Sequence, residues 1–146
     1  MNPNITLAEA SQDQLDQLVE LENRCFTTDR LSRRNFRNLI RSESANVFVL
    51  LEGQTLAGYA IVLFHKGTSL ARLYSIAVNA DHQTRGLAKI LVEESEKRAR
   101  VKRCIFMRLE VKVDNDRAIR LYERLGYKKF GVYPDYYEDH RDALRF

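Results

Sequence analysis

The stretch LYSIAVNADHQTRGLAKIL, residues 73–91, changes character in its middle. Up to Val78 it reads as a buried strand, and from Gly86 it reads as the opening of a helix. The polar segment Asn79-Ala80-Asp81-His82-Gln83-Thr84-Arg85 joins them, and the helix is entered with almost no side chain at Gly86 or Ala88. A strand that runs so directly into a helix belongs to a fold that layers helices on a sheet.

The junction also has chemistry. The first turn of a helix leaves backbone N–H groups without partners, and the helix dipole adds partial positive charge there. Gly86 gives backbone freedom and clearance, and Ala88 keeps the next position low, so an anion can approach those groups closely. Gln83, Thr84 and Arg85 add donors, while Arg85 and Lys89 add charge. That is the outline of a pyrophosphate site. A lone glycine also serves simply to turn a strand into a helix, so the bare residue does not separate the two readings. The segment lacks the lysine and Ser/Thr of a nucleotide-hydrolysing loop and is not G-x-G-x-x-G, which argues against NTP hydrolysis and hydride transfer.

Elsewhere the pattern predicts a short strand at residues 4–8 and a helix opened by Ser11, with Leu15, Leu18, Val19 and Leu21 mostly on one face. Ser32 opens a second helix carrying Phe36, Leu39 and Ile40. NVFVLLEGQTLAGYAIVLF reads as a hairpin through Glu52-Gly53-Gln54, and TSLARLYSIAV as a third strand. CIFMRLEVKV reads as one buried strand and DNDRAIRLYERLGY as a helix stopped at Gly126; KKFGVY and RDALRF close the chain as strands. The expected order is β-α-α-β-β-β-α-β-α-β-β, a mixed sheet with helices on its faces. Without repeats or linkers, residues 1–146 are expected to form a single domain.

Bulk properties narrow the function. A net charge of +4 arises after residue 80, where 16 Lys/Arg face 12 Asp/Glu, against eight of each before it. Moderate basicity suits an anionic ligand as well as nucleic acid. The aromatic residues do not interleave with basic ones as a single-strand platform requires, which ranks a nucleic-acid module last. Cys25 and Cys104 lack metal-ligand spacing and are expected to be small buried hydrophobes, and His65, His82 and His140 are scattered, so no metal site is expected. With no signal-like leader and no long apolar run, a cytoplasmic protein without membrane contact is expected.

Gln83-Thr84-Arg85-Gly86-Leu87-Ala88 resembles the Q/R-x-x-G-x-G/A motif of the GNAT superfamily of acetyl-CoA-dependent N-acetyltransferases, and LYSIAV resembles the strand that precedes it there. The resemblance covers almost the whole chain. RLEVKVDNDRAIRLYERLGYKKFGVYPDYY and the ending EDHRDALRF resemble in particular the bacterial ribosomal-protein-alanine N-acetyltransferases. It implies a mostly antiparallel central sheet and acetyl-CoA as cosubstrate. Ile76-Ala77-Val78 would pair with the pantetheine arm, and Gln83 to Ala88 would hold the pyrophosphate. Asn115 would contact the cofactor, Glu110 would act as general base and Tyr122 as general acid. Tyr136 and Tyr137, beside Tyr133, would line the acceptor groove.

Residue chemistry is compatible with these roles. A protonated amine cannot attack a thioester, so its proton must leave first. A peptide α-amine, with a reference pKa of about 7.7–8.0, is easier to prepare at neutral pH than lysine at about 10.4. Structural readings stand beside the catalytic ones: Glu110 as a solvated edge residue with ordered water as the base, Tyr122 as helix core, Tyr133, Tyr136 and Tyr137 as hairpin packing. Between the first two helices, CFTTDRLSRRNF has Arg30-Leu31 where the resembling enzymes carry Pro-Trp. That segment helps shape the acceptor side in the fold, so acceptor identity stays open between a protein N-terminus, ribosomal or other, and a small amine. A non-catalytic acetyl-CoA sensor would keep the phosphate loop and need neither Glu110 nor Tyr122. Arg30, Arg33, Arg34, Arg37 and Arg41 recur at helical spacing, either as a solvated face or as a docking stripe for an acidic acceptor.

Overall fold

A computed structural model of the protein describes residues 4–81 and 86–146. Strand β1 (Ile5–Glu9) leads through a 3-10 turn at Gln12–Gln14 into α1 (Leu15–Cys25). Helix α2 (Arg33–Arg41) follows, then β2 (Ala45–Glu52), β3 (Thr55–Phe64), β4 (Leu70–Val78) and α3 (Leu87–Val101). The chain ends with β5 (Phe106–Arg108), β6 (Glu110–Lys112), α4 (Asp116–Arg124), β7 (Gly131–Tyr133) and β8 (Ala143–Arg145). The residues form two compact units, 1–107 and 108–146.

In the first unit β1 to β4 form an antiparallel meander, in a sheet ordered β1-β2-β3-β4-β5. Alternation along β3 assigns its two faces. Tyr59 and Ile61 pack with Leu15, Leu18, Leu21, Phe36, Val47 and Val49 into one core. A Cβ at Gly58 would meet Leu91 of α3, so that position looks to the opposite face. Helix α1 lies against β3 and β4, α2 against β2, and α3 against β3 and β4. Buried Leu87, Leu91, Val92, Ser95 and Ala99 form the inner stripe of α3 at helical spacing.

The local signals acted largely as expected. Ser32 caps α2 by accepting from Asn35 N–H at 3.1 Å. At Ser11 the reciprocal bond is present, Ser11 N–H donating to Gln14 Oε1 at 2.9 Å, but the 3-10 turn delays α1 to Leu15. CIFMRLEVKV departs from expectation: it is two three-residue strands, not one. Leu109 breaks it, because its N–H and C=O exchange 2.9 Å bonds with Phe146.

The second unit has a three-stranded sheet ordered β6-β8-β7, with Leu109, Val111, Tyr122, Ala143 and Phe146 buried. Tyr122 packs from α4 against Tyr127 and Phe146, at ring-centroid distances of 5.8 and 6.5 Å.

Candidate active site

Strand β4 offers more edge than its neighbour can use. The N–H groups of Ile105 and Phe106 both donate to Ser69 O, at 2.8 and 3.2 Å, so β5 begins opposite the first residue before β4. Three residues span about 10 Å, whereas Ile76 lies seven positions beyond Ser69, about 23 Å of strand. In either direction β5 stops short of Ile76-Ala77-Val78. On its inner side this segment pairs with β3, in the register Ala60↔Ile76, Tyr59↔Ala77 and Gly58↔Val78. Its outer groups are therefore placed to pair with an extended ligand.

The register also slips between Ile61 and Val62, leaving Tyr74 as an extra residue on β4. A bulge of this kind bends a strand and re-aims its side chains, and Tyr74 is 40% exposed beside Arg72. Nothing in the alternation of LARLYSIAV marks that slip.

The strand ends at a residue whose role the sequence did not reveal. Asn79, expected as part of a polar loop, is buried. Its backbone N–H donates to Ala57 O at 2.8 Å, its side-chain amide donates to Leu56 O at 3.3 Å, and its Oδ1 accepts from Asp81 N–H at 3.2 Å. It straps the exit of β4 to β3. Gln83, Thr84 and Arg85 lie outside the described residues. Gly86 follows at φ 71°, a left-handed conformation that costs other L-residues energy. The clearance expected of it is not clearance from protein, since a Cβ there would meet nothing within 4 Å.

Gly86 supplies no side-chain cap to α3, and the first turn carries no acidic residue. Ile90 N–H, donating to Gly86 O at 3.3 Å, begins the helical ladder. The N–H groups of Leu87, Ala88 and Lys89 precede it and have no carbonyl within the helix. Among the described residues, a strand edge that outruns its neighbour and the start of a 15-residue helix thus follow one another, an arrangement that suits an extended ligand ending in an anion.

The remaining candidates lie in the second unit. Glu110 is half-buried on β6 opposite Arg145 of β8. Asn115 caps α4 by accepting from Ala118 N–H at 3.2 Å. Tyr122 is 4% exposed, and burial, then the Tyr137 phenol, push its own phenol well above the ordinary value of 10. It stays protonated across the working pH range.

Tyr136 stacks on Tyr133 at 5.4 Å and meets Tyr137 edge-on at 5.0 Å. Arg145 lies over Tyr133 and Lys112 over Tyr137, at 4.0 and 5.1 Å. Lys112 Nζ is also 3.0 Å from Asp139 Oδ2 and, with the Arg141 backbone and guanidinium, holds that carboxyl down to about 2. Arg141 bridges Asp139 and Asp114. The β7–β8 connection that carries the tyrosines is therefore pinned by charge on both sides.

Other expectations fare differently. Cys104 is buried, but Cys25 is exposed at the last residue of α1, with Sγ donating to Val78 O at 3.5 Å. Arg30 leaves the proposed stripe: its guanidinium donates to Phe26 O at 2.6 Å and Asn23 O at 3.1 Å, closing the end of α1. Arg33 is engaged by Asp16. Among the described residues no cluster of three metal-ligating side chains occurs, and no helix is long and apolar enough to cross a membrane.

A central sheet of this order, a bulged strand that runs past its neighbour and a glycine-led helix suit an acyl-CoA transferase. Residues 15–127 match the profile of the Acetyltransferase (GNAT) family, and the chain belongs to that family. It is thereby an acetyl-CoA-dependent N-acetyltransferase. It is 30% identical to an N-alpha-acetyltransferase of Saccharolobus solfataricus over 96% of this chain and 90% of the relative. A [Ribosomal protein bS18]-alanine N-acetyltransferase of Salmonella typhimurium is 36% identical over about half of each chain, 51% and 52%. The crystal structure of the ribosomal-protein-S18-alanine N-acetyltransferase from Escherichia coli superposes with a TM-score of 0.85 at 27% identity, covering 97% of this chain and 90% of that one.

Proposed function

We propose that this enzyme acetylates the N-terminal α-amine of a protein, with residues 1–146 acting as one transferase domain. The observation that carries the cosubstrate half of this reading is the edge of β4 that runs past β5 at Ile76 and Ala77, followed among the described residues by a first turn of α3 with no side-chain cap. Acetyl-CoA supplies the activated acetyl group. Ile76 to Val78 hold its pantetheine arm by backbone pairing. Gln83, Thr84, Arg85, Gly86, Leu87 and Ala88 receive the pyrophosphate, and Asn115 is assigned a further contact with the cosubstrate beside its capping role. The acceptor half is supported by relatives named for protein N-terminal substrates; a ribosomal protein is one such candidate.

In the step itself the amine gives its proton to the Glu110 carboxylate. The neutral nitrogen then forms the bond to the acetyl carbonyl carbon as the C–S bond breaks, and the second proton it sheds in becoming an amide passes to solvent. The sulfur leaves as a thiolate, which Tyr122 O–H meets as acid. Because thiols have reference pKa values of about 8.5, below that of the raised phenol, this donation starts as a hydrogen bond to developing charge. Any proton the phenol releases is recovered from solvent. Tyr136 and Tyr137 orient the incoming peptide.

The test compares CoA release with an alanine-starting peptide and with the same peptide blocked at its α-amine. Turnover confined to the free peptide is the expected result. Equal turnover on both would reject an α-amine acceptor.

A further inference from the structure

The chemistry above leaves one buried charged group unused. Glu22, on α1, is 2% exposed. Its Oε1 accepts from the Tyr59 hydroxyl, and its Oε2 accepts from Leu31 N–H at 2.8 Å. Leu31 belongs to the connection between α1 and α2, whose first turn Arg30 also ties back to Phe26 and Asn23. Tyr59, on β3, is fully buried with its ring edge-on to Phe36 of α2 at 5.5 Å. Its hydroxyl lies 3.4 Å from Ser75 Oγ on β4. Ser75 stands between the bulged Tyr74 and the ligand-facing Ile76.

A buried carboxylate is an expensive way to hold a core together, since apolar residues of similar volume pack as well without the desolvation cost. What a carboxylate does, and a leucine cannot, is accept two directed bonds from separate elements. Here those elements are the α1–α2 connection and, through one phenol, Ser75, which adjoins the strand segment assigned to the pantetheine arm.

We propose that Glu22 is a positioning residue for acetyl transfer: it fixes the α1–α2 connection relative to the Ser75–Val78 segment of β4, and so sets where the acceptor amine stops. The proposal rests on the transferase reading and on that connection bordering the acceptor. Glu22 makes no contact with the reacting atoms. It acts through Leu31 on one side and through Tyr59 and Ser75 on the other.

Two variants of the full chain test it. Glu22→Gln keeps the volume but removes the charge, and it can serve Leu31 N–H only by turning its amide N–H toward the Tyr59 hydroxyl, which must then accept instead of donate, so both charge-assisted bonds are weakened. Tyr59→Phe keeps the Leu31 bond and removes the step to Ser75. Misplacing an acceptor by a fraction of an ångström costs roughly tenfold, so KM for the acceptor peptide should rise by about that factor in Glu22→Gln. The acetyl-CoA Kd should stay within about twofold, a split that general loosening of the core would not produce. Tyr59→Phe should give a smaller rise, and the double variant should be no worse than Glu22→Gln, because both act through one chain of contacts.

An unchanged acceptor KM in folded Glu22→Gln, or a KM and Kd that rise together, overturns the proposal. If Glu22→Gln does not fold, Tyr59→Phe alone decides on the same criteria. Amide exchange separates this failure from failure of the transferase reading, because it needs no acceptor. Leu31 and Ala77 should exchange faster in Glu22→Gln, and parent-like protection at Ala77 also overturns the coupling.

Discussion

Two glycines flank the cosubstrate segment, and they should fail for different reasons when a methyl group is added. At Gly58 a Cβ would stand 2.9 Å from Ala77 O, 3.2 Å from Leu91 Cδ1 and 3.6 Å from Val78 Cα. The leucine can rotate away. The backbone carbonyl cannot move without shifting β4, and Gly58 pairs with Val78 in the ladder itself. Overpacking of this kind costs about 1–3 kcal/mol. For a chain of this size each kcal/mol lowers Tm by about 2–4 °C, so Gly58→Ala should melt several degrees below the parent.

The displaced Ala77 and Val78 should also weaken acetyl-CoA binding. At Gly86 the space is open and the penalty lies in φ 71°, which costs a non-glycine residue about 1–2 kcal/mol. Gly86→Ala should therefore lose a comparable amount of stability, and Gly86→Asn, which tolerates that conformation better, should recover part of it. Thermal denaturation with and without acetyl-CoA, together with calorimetric titration, reads all three variants. Parent-like Tm and affinity in Gly58→Ala would refute the steric argument. Equal losses in Gly86→Ala and Gly86→Asn would refute the torsional one.

Tyr122→Phe should leave the acetyl-CoA Kd unchanged and lower kcat by roughly a hundredfold, the scale of a lost proton-transfer partner; single-turnover kinetics with the identified acceptor checks this. Because the phenol is raised, its ionisation should place no falling limb on the parent pH–rate profile below pH 10, and a limb in that range absent from Tyr122→Phe would contradict the assignment. Glu110→Gln should slow turnover more at low pH than at high pH, where the amine is already neutral; an equal loss at every pH removes it as the base.

Glu22 should give stability a slope of unusual sign. Burial raises its pKa above the ordinary 4.5 despite the opposing bonds from Tyr59 and Leu31 and the charge of Arg30. Cys25 and Arg24, on the same helix, and Ser75, beyond Tyr59, are further polar groups near this cluster. The folded state then binds the proton more tightly than the unfolded one. Stability from this group falls as pH climbs from 4.5 toward the raised folded value. Denaturant titrations of parent and Glu22→Gln should show that slope flattened in the variant, and parallel curves would contradict it.

Much of this architecture was legible because each element carries its own period and punctuation. Ser32 and Gly86 mark helix starts, and LARLYSIAV and NVFVLLE read as strands. Glu22 had a signal that went unused, since it continues the spacing of Leu15 and Leu18 on the buried face of α1. Its partner Tyr59 is 37 positions away, and only the fold brings the two together. The break at Leu109 depends on Phe146 at the other end of the second unit, and the slip at Tyr74 depends on the partner strand. Asn79 looked like loop because polarity alone cannot distinguish a solvated amide from a buried one that bonds two backbone groups. Local sequence reports local preference; these features are set by neighbours distant along the chain.

The central claim, that acetyl passes from acetyl-CoA to a protein N-terminal α-amine, is tested most directly by a peptide that offers two amines. Such a peptide, with a free alanine N-terminus and an internal lysine, is incubated with enzyme and acetyl-CoA and mapped by tandem mass spectrometry. At neutral pH the α-amine, with a reference pKa lower by about 2.5 units, is much the more available. Incubation of the lysine-containing peptide at pH 10 removes most of that advantage, so selectivity there reports the site and not the amine. The account predicts acetyl on the α-amine at both pH values. Acetyl on the lysine at pH 10, or no peptide product while a small polyamine is acetylated, would contradict it.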